Sequence, residues 1–342
     1  MAEIVCLGEA LIDFVAAESG VGVGEASSFL RAPGGAPGNV AVGVARLGRS
    51  SAFLGKVGDD PFGRFLEQTF AAAGVDTGGM IFDPDHRTGL AFVSLEANGE
   101  RDFCFFRNPS ADMTYAPAEL DRARIQAGRI FHYGSITLID QPARNTTLAA
   151  VETARAAGLL LSYDPNLRPP LWPSLAEART VILDTIPYAD VVKVNAEELV
   201  FLMTPDSTFP AENVSAEECR QLARNFRLLY PHVRLLAVTR GAKGSHVCWG
   251  DDKSLDTPGL SVKAADTTGA GDGFTAALLC GLLEAGLADT EALISPPPAL
   301  LAQIVMRANA VGALTTTRKG AIPALPTREE IDAFRFIGSF VE

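Results

Sequence analysis

The sequence predicts an α/β fold, with a mostly parallel central sheet, helices on both of its faces and a small second sheet inserted into the body. Short apolar runs alternate with longer helical patterns, which argues for parallel strands joined by helices. Two further strand-like segments break that alternation around an Asn-Gly turn signal. A Gly-rich string near each end of the chain leads straight into a helical pattern, the arrangement that places ligands at the edge of such a sheet.

The apolar runs Ile4–Leu7, Ala52–Val57, Arg129–Tyr133, Leu159–Tyr163, Val191–Val194 and Leu235–Thr239 read as buried strands. Helical patterns lie between them at Pro61–Ala73, Pro142–Ala157, Ser174–Asp184, Ser215–Tyr230 and Gly271–Leu283. Asp60–Pro61 supplies an N-cap with proline at the first helical position, and Gly74 follows the last turn. Thr88–Leu95 and Arg101–Phe106, joined by Ala97-Asn98-Gly99-Glu100, read as a hairpin, because both central residues of a type I′ turn need positive φ. With the strand-like, Gly/Ser-rich stretch Phe14–Leu30 they predict a small antiparallel sheet. The expected organisation is a single domain over 1–342 with a lid built discontinuously from about 14–32 and 88–107.

The 342 residues carry 41 acidic and 29 basic side chains, a formal charge of −12, which repels nucleic-acid backbones and anionic membrane surfaces. Hydrophobic residues make up 47% and charged ones 20%, enough apolar material for a large core. The five cysteines at 6, 104, 219, 248 and 280 form no CxxC pair, so neither a disulfide framework nor a zinc site is expected. The acidic start MAEIVCLGEALIDF is not a signal peptide, and AALLCGLLEAG is too short to span a bilayer. These features together predict a cytoplasmic protein.

The strongest chemical signal is Asp266-Thr267-Thr268-Gly269-Ala270-Gly271-Asp272, which opens a helix. Small residues at a helix start let backbone N–H groups approach an anion, and the helix dipole adds favourable potential. An Asp there can take a proton from a hydroxyl while the amides hold the phosphoryl group under attack. Taken alone, GAGD would describe a capped helix; the chance occurrence of all seven residues is on the order of 10⁻⁶. The second signal is Gly34-Gly35-Ala36-Pro37-Gly38-Asn39, where paired glycines admit a close ligand and Asn39 opens a helix with an amide that both donates and accepts, as a polyol requires.

GGAPGNVAVGVARLG together with DTTGAGD resembles the ribokinase (PfkB-type) family of carbohydrate kinases, most closely its fructokinases. Landmarks in the matching order include FFRNPSADM, LSYDPNLRPPLW, NAEE, TRGAKGS and ANAVGALTTTRKGAIPALPT. The resemblance spans essentially the whole chain and implies a three-layer ribokinase-like fold and an ATP-dependent sugar kinase that acts on O6 of D-fructose.

Residue by residue, the resemblance implies Asp272 as general base and Gly269, Ala270 and Gly271 as the anion hole. It places Asp13, Gly34, Gly35, Asn39, Arg107, Arg168 and Asp272 at the sugar. Asn166, Asn195, Thr239, Gly241, Lys243, Gly244, Gly271 and Asn309 fall at the ATP site. Asn195 and Glu198 form an N-x-x-E element that organises Mg²⁺ through water, and Asp266, Thr268, Thr315, Arg318, Gly320 and Ala324 form a K⁺ loop, largely through carbonyls. The exposed edge of the lid sheet suggests pairing with a second copy.

Other classes fit poorly. No G-x-x-x-x-G-K-[ST] string occurs, the first strand does not lead into G-x-G-x-x-G, and His86, His132, His232 and His246 lie in no nucleophile motif. The remaining alternatives are a 2-keto-3-deoxygluconate kinase, whose acceptor carboxylate Arg107 or Arg168 would hold, and a non-catalytic sugar-binding regulator.

Overall fold

The computed structural model describes residues 1–95, 101–205, 207, 209–211, 213–250 and 252–334. Among these residues thirteen strands form two sheets: β1 (Ile4–Leu7), β2 (Leu11–Ala16), β3 (Phe29–Gly34), β4 (Ser51–Gly58), β5 (Asp76–Asp83), β6 (Gly89–Leu95), β7 (Arg101–Phe106), β8 (Ile130–Tyr133), β9 (Leu160–Tyr163), β10 (Val191–Asn195), β11 (Leu235–Thr239), β12 (Ser245–Trp249) and β13 (Lys253–Thr257). The main sheet has nine strands in the order β13-β12-β11-β10-β9-β8-β1-β4-β5. It is parallel from β11 to β5, and the β12–β13 hairpin adds an antiparallel edge.

Alternate residues of each central strand feed two cores. Ile4, Cys6, Phe53 and Ile130 face α1 (Ala36–Arg46), α2 (Pro61–Ala72), α8 (Ala270–Glu284) and α9 (Pro298–Thr315). Val5, Leu7, Leu54 and Phe131 face α3 (Arg122–Gln126), α4 (Ala143–Ala156), α5 (Leu175–Thr185), α6 (Ala196–Met203) and α7 (Ala216–Leu229). The expected three-layer ribokinase-like arrangement is therefore present, and double-sided burial explains why the central strands read as continuous apolar runs. A short α10 (Arg328–Ala333) follows, anchored to the first core by Ile331. Asp60 caps α2 as expected, its carboxylate accepting from the Phe62 and Gly63 amides at 2.9 Å each. Among the described residues no helix is long and apolar enough to cross a membrane.

The second sheet runs β3-β2-β6-β7. Its outer pairs are antiparallel, but β2 and β6 are parallel, which corrects the expectation of a wholly antiparallel sheet. The cause is topological: β2 continues from β1 and β6 from β5, and both parent strands point the same way. The strand-like stretch from Phe14 resolves into β2 and β3 with an irregular connection between them. The predicted turn at residues 97–100 lies outside the described residues.

Glu9 lies in the three-residue link from β1 to β2 and is 2% exposed. Its carboxyl accepts the Ala36 amide at 2.9 Å, and its carbonyl lies where a Cβ on Gly35 would sit 2.3 Å away. With φ at 105°, Gly35 occupies a position that a side chain would strain on both counts. Burial, partly offset by the backbone donors and Arg107, pushes the Glu9 pKa up to about 7. A folded-state value above the unfolded one means the native protein binds the extra proton between pH 4.5 and 7, so stability falls as pH rises through that window. Glu9→Gln keeps an oxygen for the Ala36 amide and removes the titration. Urea unfolding of both proteins at pH 5 and pH 8 should show the variant spared a loss of about 1–3 kcal/mol that the wild type suffers.

Candidate active site

The C-terminal edge of the parallel strands, where such sheets hold ligands, gathers the chemistry. Two helices start there. Gly35 caps α1 and Gly269, at φ 78°, caps α8, and Asn39 and Asp272 lie in their first turns. Asn39 Nδ2 donates to Asp272 Oδ2 at 2.7 Å across 233 residues of chain. Both side chains are buried, and Asn39 Oδ1 has no protein partner among the described residues. Burial raises the Asp272 pKa above the ordinary aspartate value, opposed by the Asn39 bond and by Lys193 and Arg168, and reinforced by Asp164. The Ala270 amide turns back to the Thr267 carbonyl at 3.3 Å. Those of Gly271 and Asp272 belong to the helix-start amides that lack an acceptor within the helix.

Lys193 and Asp164 complete this floor, and neither stands out among the sequence motifs. Lys193 is 6% exposed and its ammonium lies 3.0 Å from Asp164 Oδ2. The same Nζ would stand 2.9 Å from a Cβ on Gly271, so a fixed positive charge rests against the α8 N-terminus. Burial alone favours the neutral amine, but Asp164 and Glu198 outweigh it and raise the Lys193 pKa. Thr275 donates to Asp164 Oδ2 at 3.3 Å, while Asp164 Oδ1 is buried without a partner among the described residues.

Asn195 and Glu198 form a reciprocal capping box. Asn195 Oδ1 accepts the Glu198 amide and Glu198 Oε2 accepts the Asn195 amide, both at 2.8 Å. Glu198 Oε1 also accepts the Leu167 amide at 2.9 Å, which clips the β9 loop to α6. In that loop Asn166 takes a left-handed conformation at φ 46°, and the half-buried Arg168 donates to the Leu167 carbonyl at 3.1 Å.

On the other side of Asn39 lies the root of the small sheet. The Asp13 carboxylate packs against Gly34, where a Cβ would come within 2.4 Å of its Oδ2. Gly34, Leu11 and Gly89 are cross-strand neighbours, and Arg107, just past β7, reaches to Gly89. Its guanidinium is ion-paired with Asp112, both almost fully buried.

Beyond β10, Thr239 is the cross-strand neighbour of Asn195. The turn that follows places Gly241 and Gly244 at positive φ, with Lys243 exposed. Asn309 on α9 donates to the Pro258 carbonyl at 3.3 Å, and Gly244 packs against Pro258, so Thr239, Gly244 and Asn309 line one continuous wall. Asp266 accepts from the Thr268 amide and the Gly320 amide, each at 2.9 Å, which brings together both halves of the expected cation loop. Thr315 and Ala324 are buried beside it. The Arg318 side chain is directed to Glu330, leaving its carbonyl as the group on offer.

A signal for Lys193 was present: a lysine inside the otherwise apolar run VVKVN has to be buried with a partner. Glu9 and Asp112 carried no such mark, because each sits in a segment of mixed polarity.

A model of the "pfkB family carbohydrate kinase" matches residues 1–328. Probable fructokinase-7 of Arabidopsis thaliana is 47% identical over 328 residues, 96% of this chain and 91% of the relative. Fructokinase-1 of Zea mays is 48% identical, covering 96% of each. Among solved structures, fructokinase from Xylella fastidiosa with bound ATP superposes with a TM-score of 0.84 at 35% identity, covering 96% of both chains. A double mutant of fructokinase from Vibrio cholerae O395, bound to fructose, ADP and a potassium ion, gives 0.80 at 37% identity over 98% of each. With the family model matched over residues 1–328 and the relatives aligned along 96% of its length, the chain belongs to the pfkB family of carbohydrate kinases.

Proposed function

We propose that this kinase transfers the γ-phosphoryl group of ATP to O6 of D-fructose, giving fructose 6-phosphate and ADP. The observation that carries the reading is the buried Asn39–Asp272 pair at the junction of two helix N-termini, supported by the fructokinase relatives. Fructose is held by Asp13, the Gly34-Gly35 loop and Asn39, whose unpartnered Oδ1 suits a sugar hydroxyl. Arg107 and Arg168 border that pocket. Asp272 accepts the proton of the 6-hydroxyl as its oxygen bonds to the γ-phosphorus and the bond to the ADP oxygen breaks. The Gly269–Asp272 helix start and the Lys193 ammonium oppose the charge that gathers on the transferring group.

ATP lies along Asn166, Asn195, Thr239, Gly241, Lys243, Gly244, Gly271 and Asn309. The buried oxygens of Asp164 and Glu198, with Asn195, form a hard donor set that fits a hydrated Mg²⁺, which neutralises phosphate charge when bound. The clasp of Asp266 and Thr268 on Thr315–Gly320, with Ala324, fits K⁺ held by carbonyls. The small sheet acts as a lid within a single domain and excludes water. Its exposed apolar side chains, Leu30 and Phe106, suit pairing with a second copy. A keto-deoxy acid is a weaker reading of the same site, since the curated relatives are fructokinases.

Asp272→Asn should retain ATP binding while turnover of fructose falls by about 10²–10⁴-fold, measured by coupled ADP release; near-normal turnover would remove Asp272 as base. Because burial raises the Asp272 pKa, kcat/KM should decline with acidification along a limb centred above the ordinary aspartate range. Asn39→Ala deletes a bond that favours the carboxylate, so its limb should move to still higher pH; an unmoved limb would assign that titration to another group.

A further inference from the structure

The Arg107–Asp112 pair belongs to no step of this mechanism, yet it is built with care. Arg107 is 9% and Asp112 2% exposed, and Ser110 donates a second bond to Asp112. Both acidic oxygens are thus engaged, one by the guanidinium and the other by the hydroxyl. The pair packs on Gly89, in the same cross-strand row as Gly34, and fronts a cavity of about 200 Å³ lined also by Asn108, Thr137, Asp140 and Leu171. Three carboxyl groups act on this one guanidinium: Asp112, Glu9 and Asp140. The charged groups that act most strongly on Arg107 are all acidic. Arg107 Nε is buried without a partner among the described residues, a donor suited to a neutral oxygen.

We propose that Asp112 determines acceptor specificity: by holding Arg107 in a buried ion pair at the root of the lid, it fits this end of the sugar pocket to uncharged polyols and closes it to acceptors bearing a carboxylate. The inference rests on the Gly34-Gly35 loop being the sugar site. An acidic acceptor would have to displace Asp112 from its only buried cationic neighbour among the groups described here or remain beside it unpaired, and either arrangement leaves a charge desolvated. A neutral hydroxyl carries no charge to desolvate and incurs no such penalty. Asp112 acts through Arg107 and is a positioning residue.

The test compares kcat/KM for D-fructose and 2-keto-3-deoxygluconate in the wild type, Asp112→Asn and Asp112→Ala, with KM for ATP as a check on the fold. Both variants should lose about tenfold or more on fructose and gain on the acid, narrowing the preference by about 100-fold. A preference unchanged within about threefold in both, whatever their common loss, overturns the proposal. If neither variant folds, the wild type decides: D-sorbitol should compete with fructose and D-gluconate, which differs in bearing a carboxylate, should not. Equal competition by the two overturns the proposal. No turnover of fructose by the wild type would overturn instead the acceptor assignment on which it rests.

Discussion

The structure depends on a single polar contact between two helices that must begin at the same place. Asn39 and Asp272 sit 233 positions apart, and their 2.7 Å bond requires α1 and α8 to start side by side over the sheet edge. The close packing of these helices makes that possible: Gly43 lies so near Ala276 that an added Cβ would stand 2.7 Å from its Cβ. Once the two N-termini meet, their dipoles point at a common region and a buried carboxylate there is tolerable. The bond therefore joins the fold's packing to the proposed chemistry, because displacing either helix separates Asp272 from the amide that donates to it.

The floor beneath that bond shows how a low-dielectric site holds several charges. Asp272, Asp164 and Glu198 are all buried, and one ammonium, Lys193, is shared among them. Glu198 is further met by two backbone amides, so it is held by hydrogen bonds as much as by charge. Asp272 receives one side-chain amide donor, from Asn39, and the charges of Lys193 and Arg168. Burial raises the pKa of both Glu198 and Asp272, and Asp272 is the one that stands at the α8 start, where the proposed mechanism needs a proton acceptor.

The buried centre of the sheet was plain in the sequence because strands covered on both faces are apolar throughout. The six expected central strands lie within one residue of their observed ends. β12, β13 and β5 were not anticipated. KSLDT is a short edge segment with mostly exposed residues, SHVCW is a buried five-residue segment that opens with Ser and His, and DTGGMIFD is interrupted by two glycines, so none of the three shows the apolar run that marks a central strand. The helix-start motifs marked Gly269–Asp272, which open α8, since a helix start depends on local sequence. Lys193, Asp164 and Glu9 act through neighbours 27 or more residues away, as with Lys193 and Asp164, and Glu9 and Ala36. Asp112, whose partner is five residues off, shows that burial rather than distance hid the pair.

The parallel pairing of β2 with β6 has a mechanical consequence. Both central strands of the small sheet are prolongations of main-sheet strands, through Gly8–Ala10 on one side and residues 84–88 on the other. The small sheet is thus joined to the main sheet along two adjacent parallel strands, and through Gly35 it also passes directly into α1. Asp13 and Gly89 stand on the small sheet and Asp272 on α8. The short covalent path from β3 through α1 ends at Asn39, so a shift of the small sheet along that path would reach the proposed base through the Asn39–Asp272 bond.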